Sequence, residues 1–255
     1  MTLWIARHEF SALFKTRLGW FMLAAVQLAM GIGLFFLMRV YKIKLHYAAT
    51  LAKGPTYEII VLFFALTLYF VLLLVPALTT WSVTLQRRNG SLLFLLTKPV
   101  SMTQLVLGKF LGLLMFLLCM LALMLLTAAG VMPGGNIDLG TVFSAWSGTV
   151  LAVLAYCAIA LFLSSLTTQP VIALLSATFV LLFFVFIEIF ASLKVGWIEQ
   201  LIQFVSLLGH LDLPTAGLWS SVDLLYFVLV TVFFLYLTVL RFQRFSRSSV
   251  VSNAG

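Results

Sequence analysis

The residues that catalysis or nucleotide binding would require are scarce in this chain. Gly108-Lys109 is the one pair that resembles a phosphate-binding loop, but Thr103 stands where that loop needs its first glycine and Phe110 where it needs a hydroxyl. The sequence has no His-Glu-x-x-His, Cys-x-x-Cys or Gly-x-Ser-x-Gly motif. We therefore expect no enzymatic activity, and no nucleotide, metal or other cofactor held by this chain itself.

The remaining titratable and thiol groups favour structural roles. The histidines stand near predicted membrane boundaries, where interfacial hydrogen bonding is commoner than metal ligation: His8, His46 and His210. Cys119 and Cys157 fall within apolar segments and are predicted to pack as small hydrophobes. Glu188 is the one acid expected within an apolar segment, near its outer end, where an interfacial role is favoured over a pathway role. With no second buried acid and no buried Lys or Arg expected, the pattern argues against a proton- or sodium-driven secondary transporter.

The composition indicates that lipid solvates most of the chain. Of its 255 residues 64% are hydrophobic and 9% are charged, and the mean hydropathy is +1.19. Six continuous apolar runs are long enough to cross a hydrocarbon core of about 30 Å as helices: 19–38, 59–81, 105–131, 141–166, 171–193 and 222–240. Continuous runs favour helices over a barrel, whose strands would alternate in polarity. We predict an all-α, polytopic membrane protein with one transmembrane domain, 1–255.

The distribution of cations predicts the orientation. With both termini on one side, ten of the 15 Lys and Arg residues fall on that side and five on the other, so both termini are expected in the cytoplasm. The net charge of +8 is scattered over both sides, which indicates membrane lipid headgroups rather than nucleic acid as partners. The first apolar run is of full span length with no cleavage site after it, so we expect it to remain as an anchor.

Two segments outside the spans show helical spacing. In 1–18, Leu3, Ala6, Phe10, Leu13 and Phe14 form an apolar stripe, which predicts a helix lying in the membrane plane with Trp4 at headgroup depth. The alternative is a plain extension of the first span. In the external segment 194–221, an apolar stripe predicts a short interfacial helix that ends before Gly209.

The segment 86–104 is the only extended interruption on the cytoplasmic side. The second span exceeds the hydrocarbon thickness, so its end should project as far as Asn89, with a kink at Pro76. Gly90 is suited to end that helix, and 91–96 is a strongly apolar stretch of about two turns. An exposed apolar patch with a basic rim often marks a protein interface. Ser101 and Gln104 have the form of a capping box that starts the third span, on which Gly108 and Gly112 would permit close approach of another helix.

Several motifs together resemble a known family. They are Arg7-His8-Glu9-Phe10, Pro76-Ala77-Leu78-Thr79, Arg88-Asn89-Gly90-Ser91-Leu92 with Leu95-Leu96-Thr97-Lys98-Pro99-Val100-Ser101, Val106-Leu107-Gly108-Lys109-Phe110, His210, Gly217 and Asp223-Leu224-Leu225-Tyr226-Phe227. The chain resembles the membrane subunit of ABC-2 type exporters of the gliding-motility and nitrous-oxide-reductase-maturation type. The resemblance extends over most of the chain and implies a bacterial inner-membrane location.

The resemblance implies an exporter whose energy comes from a partner. In that family two six-helix subunits pair, as a homodimer or with a related chain, and each presents a coupling helix to a cytoplasmic P-loop ATPase, present in two copies, that binds MgATP. The implied coupling residues are Arg87, Arg88, Gly90, Ser91, Leu92, Leu95, Leu96, Lys98 and Pro99. Family members commonly have glutamate before the basic pair, where this chain has Gln86.

Other functions and roles stay open at this point. A secondary transporter acting alone, or a scaffold that recruits peripheral proteins through 86–104, would use the same apolar spans. Pro76, Glu188 and His210 are candidates for pathway or gating roles.

Overall fold

The chain folds into helices throughout the part that the structure describes. This computed structural model describes residues 1–47, 54–86, 101–130, 137–191, 205–211, 214 and 217–252, and no strand occurs among them. A first helix, α1 (Thr2–Lys15), is followed by six long ones: α2 (Arg17–Tyr47), α3 (Leu62–Thr79), α4 (Met102–Ala129), α5 (Leu139–Leu166), α6 (Pro170–Ala191) and α7 (Ser221–Ser252). Two π-helical segments, Thr56–Val61 and Thr80–Leu85, continue α3 at its two ends.

All six predicted spans are confirmed as helices long and apolar enough to cross a membrane, as expected of a multi-pass membrane protein. Their ends differ from the prediction by a few residues in most spans and by more in α2 and α7. α2 has 31 residues and continues to Tyr47, so Arg39 and Lys44, expected in a loop, lie on the helix. α7 has 32 residues and continues to Ser252. Long basic side chains at span ends reach the polar interface, so a cation does not have to end a helix.

α3 and α5 form the centre of the bundle. In the most apolar stretch of each, 67% is buried within the protein, against 22% in α2 and in α6. On α5 the small residues Ala152, Ala155 and Ala158 are fully buried, which lets neighbouring helices approach closely. Cys157 on the same helix is buried as predicted, whereas Cys119 on α4 is exposed, so only one of the two thiols packs in the core.

Side chains cap the starts of two spans. Ser101 accepts a hydrogen bond from the Gln104 backbone N–H at 3.3 Å, as the capping-box prediction required. Asp138 accepts from the Gly140 and Thr141 backbone N–H groups at the start of α5, and also from the Thr141 hydroxyl. The hydroxyl bond, together with the two backbone bonds, lowers the pKa of the exposed Asp138 carboxyl below its ordinary value.

α1 is a helix separate from α2, as predicted for 1–18, so this segment is not a plain extension of the first span. It ends at Thr16, whose backbone is extended and whose hydroxyl donates to the Leu13 carbonyl at 2.8 Å. The predicted apolar stripe was wrong in part. Leu3 is 72% exposed, and the buried face consists of Ile5, Ala6, Glu9 and Leu13. The difference arises because α1 packs against α4 of the protein along that face.

Glycines on α4 bring α1 close. A Cβ on Gly108 would lie 2.7 Å from the Ile5 Cβ, and a Cβ on Gly112 would lie 2.6 Å from the Glu9 Cβ and 2.8 Å from the Ala6 carbonyl oxygen. Close approach at these two glycines was predicted, and the partner is α1 rather than another span. We call the end of the bundle that carries α1, Gln86 and Ser101 the α1 end, and the opposite one the far end.

We expect Gly112→Ala to lower the free energy of unfolding in mixed micelles by about 1–3 kcal/mol, since the added methyl overpacks the contact with α1. Gly31→Ala on α2 is the matched control, because nothing lies within 4 Å of a Cβ there. In that open position alanine favours the helix by roughly 0.5–1 kcal/mol. Equal effects of the two substitutions would contradict the close approach.

Candidate functional site

A lysine is completely buried at the α1 end. Lys109 on α4 is 0% exposed, and Glu9 on α1 is 4% exposed. The expectation that no Lys or Arg and no second acid is buried was therefore wrong. The missed signal is positional: Lys109 stands four residues from Leu105 and from Leu113 on the buried face of α4, and Glu9 stands four from Ile5 and from Leu13 on α1.

The ammonium group of Lys109 has an acceptor for each of its hydrogens. Its Nζ lies 2.5 Å from the Glu9 Oε1, 2.8 Å from the Ser82 carbonyl oxygen and 2.6 Å from the Gln86 Oε1. A lysine ammonium has three donors and no acceptor, so this group is fully satisfied. Its charge is matched by the one carboxylate that it contacts.

The Glu9 carboxylate is satisfied by neighbours of the same lysine. Its Oε2 accepts from the Ser82 hydroxyl at 3.0 Å, and the Gln86 Nε2 lies 3.4 Å from both carboxylate oxygens. Gln86 thus bridges the ion pair, accepting from the cation and donating to the anion. We call Glu9, Ser82, Gln86 and Lys109 the α1-end cluster; it joins α1, the π-helical segment Thr80–Leu85 and α4.

α3 contributes to this cluster through the π-helical segment Thr80–Leu85, which continues it and contains Ser82. Pro76 lies buried within α3 and has no backbone N–H, so the regular ladder is interrupted there. α3 continues through Pro76 without a break, and a π-helical segment starts at Thr80, one turn after the proline; the kink at Pro76 stays a prediction. The single hydrogen of the Thr79 hydroxyl is shared between the Val75 and Pro76 carbonyl oxygens, each 3.1 Å from Oγ1.

Hydroxyl groups extend the polar contacts from this segment to α5. The Thr84 hydroxyl donates to the Ser164 carbonyl oxygen at 2.9 Å, and the Ser164 hydroxyl donates to the Thr79 Oγ1 at 3.1 Å. In a lipid-solvated bundle such interhelical bonds replace water as partners for polar groups. At this end α1, α3, α4 and α5 are therefore connected by polar bonds as well as by apolar packing.

The predicted coupling residues adjoin this cluster in sequence. Arg87, Arg88, Gly90, Ser91, Leu92, Leu95, Leu96, Lys98 and Pro99 lie outside the described residues, as does the predicted external helix up to residue 204. The described chain leaves at Gln86 and returns at Ser101, and both lie at the α1 end. Glu188 belongs to α6 by its backbone, and its side chain is outside the described part.

At the far end, His210 is hydrogen-bonded to the start of α7. Its Nδ1 lies 2.8 Å from the Asp223 Oδ1 in the first turn of α7, and its ring stacks on Tyr226 with 4.0 Å between centroids. The Tyr226 hydroxyl donates to the Val205 carbonyl oxygen at 2.8 Å. These contacts attach the turn Gly209–Leu211 to the start of α7.

A second ion pair and a pocket complete the far end. Lys44 of α2 contacts both Glu58 carboxylate oxygens at 2.9 and 3.0 Å, which joins α2 to the segment Thr56–Val61. A pocket of about 240 Å³ lies between α3 and α5, with Tyr57, Tyr69 and Thr149 among its lining residues, together with Leu211 and Pro214. Gly148 allows Pro214 to lie close to α5, since a Cβ on Gly148 would be 2.8 Å from the Pro214 Cβ.

The hydrogen bonding of the α1-end cluster favours a structural role over proton exchange or ion binding. Every donor of Lys109 is occupied, the two charges cancel, and both side chains are shielded from solvent. Among the described residues, no three His, Cys, Asp or Glu side chains are grouped as a metal site would require. The arrangement can transmit a displacement of one helix to the other two.

Comparison with known proteins adds no assignment. No protein-family model matches the chain, and no curated protein matches it.

Lys109→Met should lower the free energy of unfolding by roughly 3–5 kcal/mol, because the Glu9 carboxylate is left buried without its cation. Adding Glu9→Gln to it should restore a large part of this loss, so the two effects are not additive. Titration with denaturing detergent in mixed micelles measures both. Lys42→Met, at an exposed position of α2, is the control and should change stability by less than about 0.5 kcal/mol. Additive effects of the cluster substitutions would show that the pair is not coupled.

Gln86→Glu should destabilise the protein by placing a second carboxylate beside Glu9 in a cluster that has one cation. The loss should be larger at about pH 8 than at about pH 5, because like charge and burial raise the pKa of the new carboxyl and its protonated form resembles the amide. Gln104→Glu adds the same charge in the first turn of α4, where a carboxylate is favourable, and serves as control. A loss that does not change with pH would contradict the charge-balance argument.

Proposed function

We propose that this chain is the transmembrane subunit of an ABC-2 type exporter. Two such six-helix subunits, identical or related, form the translocation path, and two copies of a separate cytoplasmic ATPase bind MgATP and supply the energy. The motif resemblance and the six candidate spans support this proposal. The observation that carries it is the position of Gln86, which directly precedes the segment 87–100 and bonds to both Glu9 and Lys109.

In this proposal 91–96 is the coupling helix that docks on the ATPase. Force that enters through it reaches the bundle at Gln86 and at the Ser101 cap, the two points where the segment joins described helices. Because the α1-end cluster joins α1, α3 and α4 there, the three helices move together rather than separately. ATP binding then shifts these helices against the paired subunit and opens a path.

The proposal also fixes an orientation. The α1 end faces the cytoplasm of a bacterium, with both termini and the ATPase on that side of the inner membrane. A short interfacial helix within 194–208 and the turn Gly209–Leu211 then lie on the outer side. The cation distribution supports this orientation, since ten of the 15 Lys and Arg residues belong to segments on the cytoplasmic side.

A secondary transporter regains some support from the buried Lys109–Glu9 pair, because buried ionisable groups often mark ion pathways. Two features favour a structural role for the pair. Lys109 lies about 10 Å from the start of α4, near the end of the span instead of the midplane where coupling ions bind. All three ammonium hydrogens are already bonded within the protein. The rival function requires transport by the purified chain in liposomes driven by an ion gradient without ATP.

Leu92→Asp and Leu95→Asp should each reduce recovery of the partner ATPase and its stimulation by about tenfold or more, since a carboxylate in an apolar interface costs several kcal/mol. The measurement is co-purification from native membranes of a protein with a P-loop, followed by its ATPase activity with the permease in liposomes. Asn89→Asp adds the same charge outside the apolar stretch and should leave both quantities near wild type.

Normal ATPase recovery and stimulation with both leucine variants would refute docking through 91–96. Recovery of a partner without any effect on ATP hydrolysis would instead favour the scaffold. Equal membrane insertion of all variants, measured by protease protection, is required for either conclusion.

A further inference from the structure

A groove at the α1 end combines apolar walls with two cations. It lies between the ends of α5 and α7, has a volume of about 230 Å³, and is lined by Phe162, Leu166, Leu237, Leu240, Arg241 and Arg244. None of these residues belongs to the α1-end cluster or to the segment proposed to bind the ATPase. The coupling proposed above therefore does not account for this groove.

The two arginines have no carboxylate partner within the part of the chain that the structure describes. The ion pairs there are Lys44–Glu58, Lys109–Glu9 and His210–Asp223. Arg241 and Arg244 are exposed and lie three residues apart on α7, so they share a face of the helix. Paired guanidinium groups bind phosphate oxygens through bidentate hydrogen bonds.

With Ser221 at one boundary of the hydrocarbon core, the length of α7 puts the arginines at the depth of lipid phosphates on the other side. From Ser221 to Leu240, α7 has about 20 residues and a length of about 30 Å, which matches the hydrocarbon thickness. Arg241 and Arg244 follow directly and reach the headgroup layer, while Phe162 and Leu237 face the groove from within the spans. The charge lies where a phosphate would be, and the walls lie where an acyl chain would be.

A second copy of this chain is poorly suited to fill the groove. In the sequence of 1–18, 86–104, 166–170 and 241–255 Glu9 is the only acidic residue, and its carboxylate is bound to Lys109. A copy of the chain could not supply a free acidic side chain from this end to neutralise Arg241 and Arg244. An anionic lipid supplies the anion and the apolar chain in one molecule.

We propose that this groove binds one anionic phospholipid, with its phosphate between Arg241 and Arg244 and an acyl chain along Phe162, Leu166 and Leu237. The site is independent of ATP coupling and of the proposed exporter function.

Native mass spectrometry of the purified chain in detergent tests the site, with phosphatidylglycerol and phosphatidylcholine of equal acyl length as probes. Arg241→Gln with Arg244→Gln should weaken phosphatidylglycerol binding by about 25-fold, at about fivefold for each basic residue, and weaken phosphatidylcholine binding by a much smaller factor, because choline neutralises its phosphate. Arg39→Gln with Lys42→Gln removes the same charge from the far end and should have little effect. Leu166→Trp fills the groove with both arginines intact and should also weaken binding.

Four results would overturn the site. They are wild-type phosphatidylglycerol binding by the double arginine variant, an equal loss in the far-end control, unchanged binding in Leu166→Trp, and full displacement of the lipid by millimolar inorganic phosphate. A change in the monomer–dimer ratio of the arginine variant without a change in lipid binding would identify the groove as a subunit interface and would equally overturn the proposal.

Discussion

The charge of Lys109 cannot remain inside an apolar bundle without compensation, and the rest of the α1 end depends on how it is satisfied. An unpaired ammonium in such surroundings would cost several kcal/mol, and three acceptors with one negative charge remove that cost. Those acceptors come from Glu9, Ser82 and Gln86, which belong to two other elements. The need to satisfy one side chain thus fixes the relative positions of three helices.

Other features of this end follow from that requirement. Glu9 reaches Lys109 because Gly112 lets α1 lie directly on α4. Ser82 lies within the π-helical segment after Pro76 and uses both its carbonyl and its hydroxyl in the cluster, and neighbouring hydroxyls connect the same segment to Ser164 of α5. The far end is held by its own pairs, Lys44–Glu58 and His210–Asp223. A displacement applied at Gln86 therefore acts first on the helices joined by the α1-end cluster. The ion pairs of the far end are separate from that cluster.

The sequence was sufficient to predict the spans. In lipid, a continuous apolar segment must form a helix, because only a helix satisfies all of its backbone hydrogen bonds within the segment. The sequence also predicted α1 as a separate helix, the Ser101 cap and the close approach at Gly108 and Gly112. The α1-end cluster was not predicted. Lys109 and Glu9 are 100 residues apart in the sequence, and each charge can be buried only because the other compensates it. Helix ends were also missed where basic residues such as Arg39 continue a helix into the interface. The coupling residues 87–99 stay a prediction.

The central claim, that force from an ATPase enters beside the α1-end cluster, is tested most directly by site-specific photocrosslinking. A photoreactive amino acid in place of Phe94, in the middle of the proposed coupling helix, should capture a P-loop ATPase in native membranes with a yield that changes when ATP is added. The same probe in place of Phe36, an exposed residue of α2, should not capture it. Absence of any ATPase among the products from position 94, with the chain inserted normally, would contradict the account.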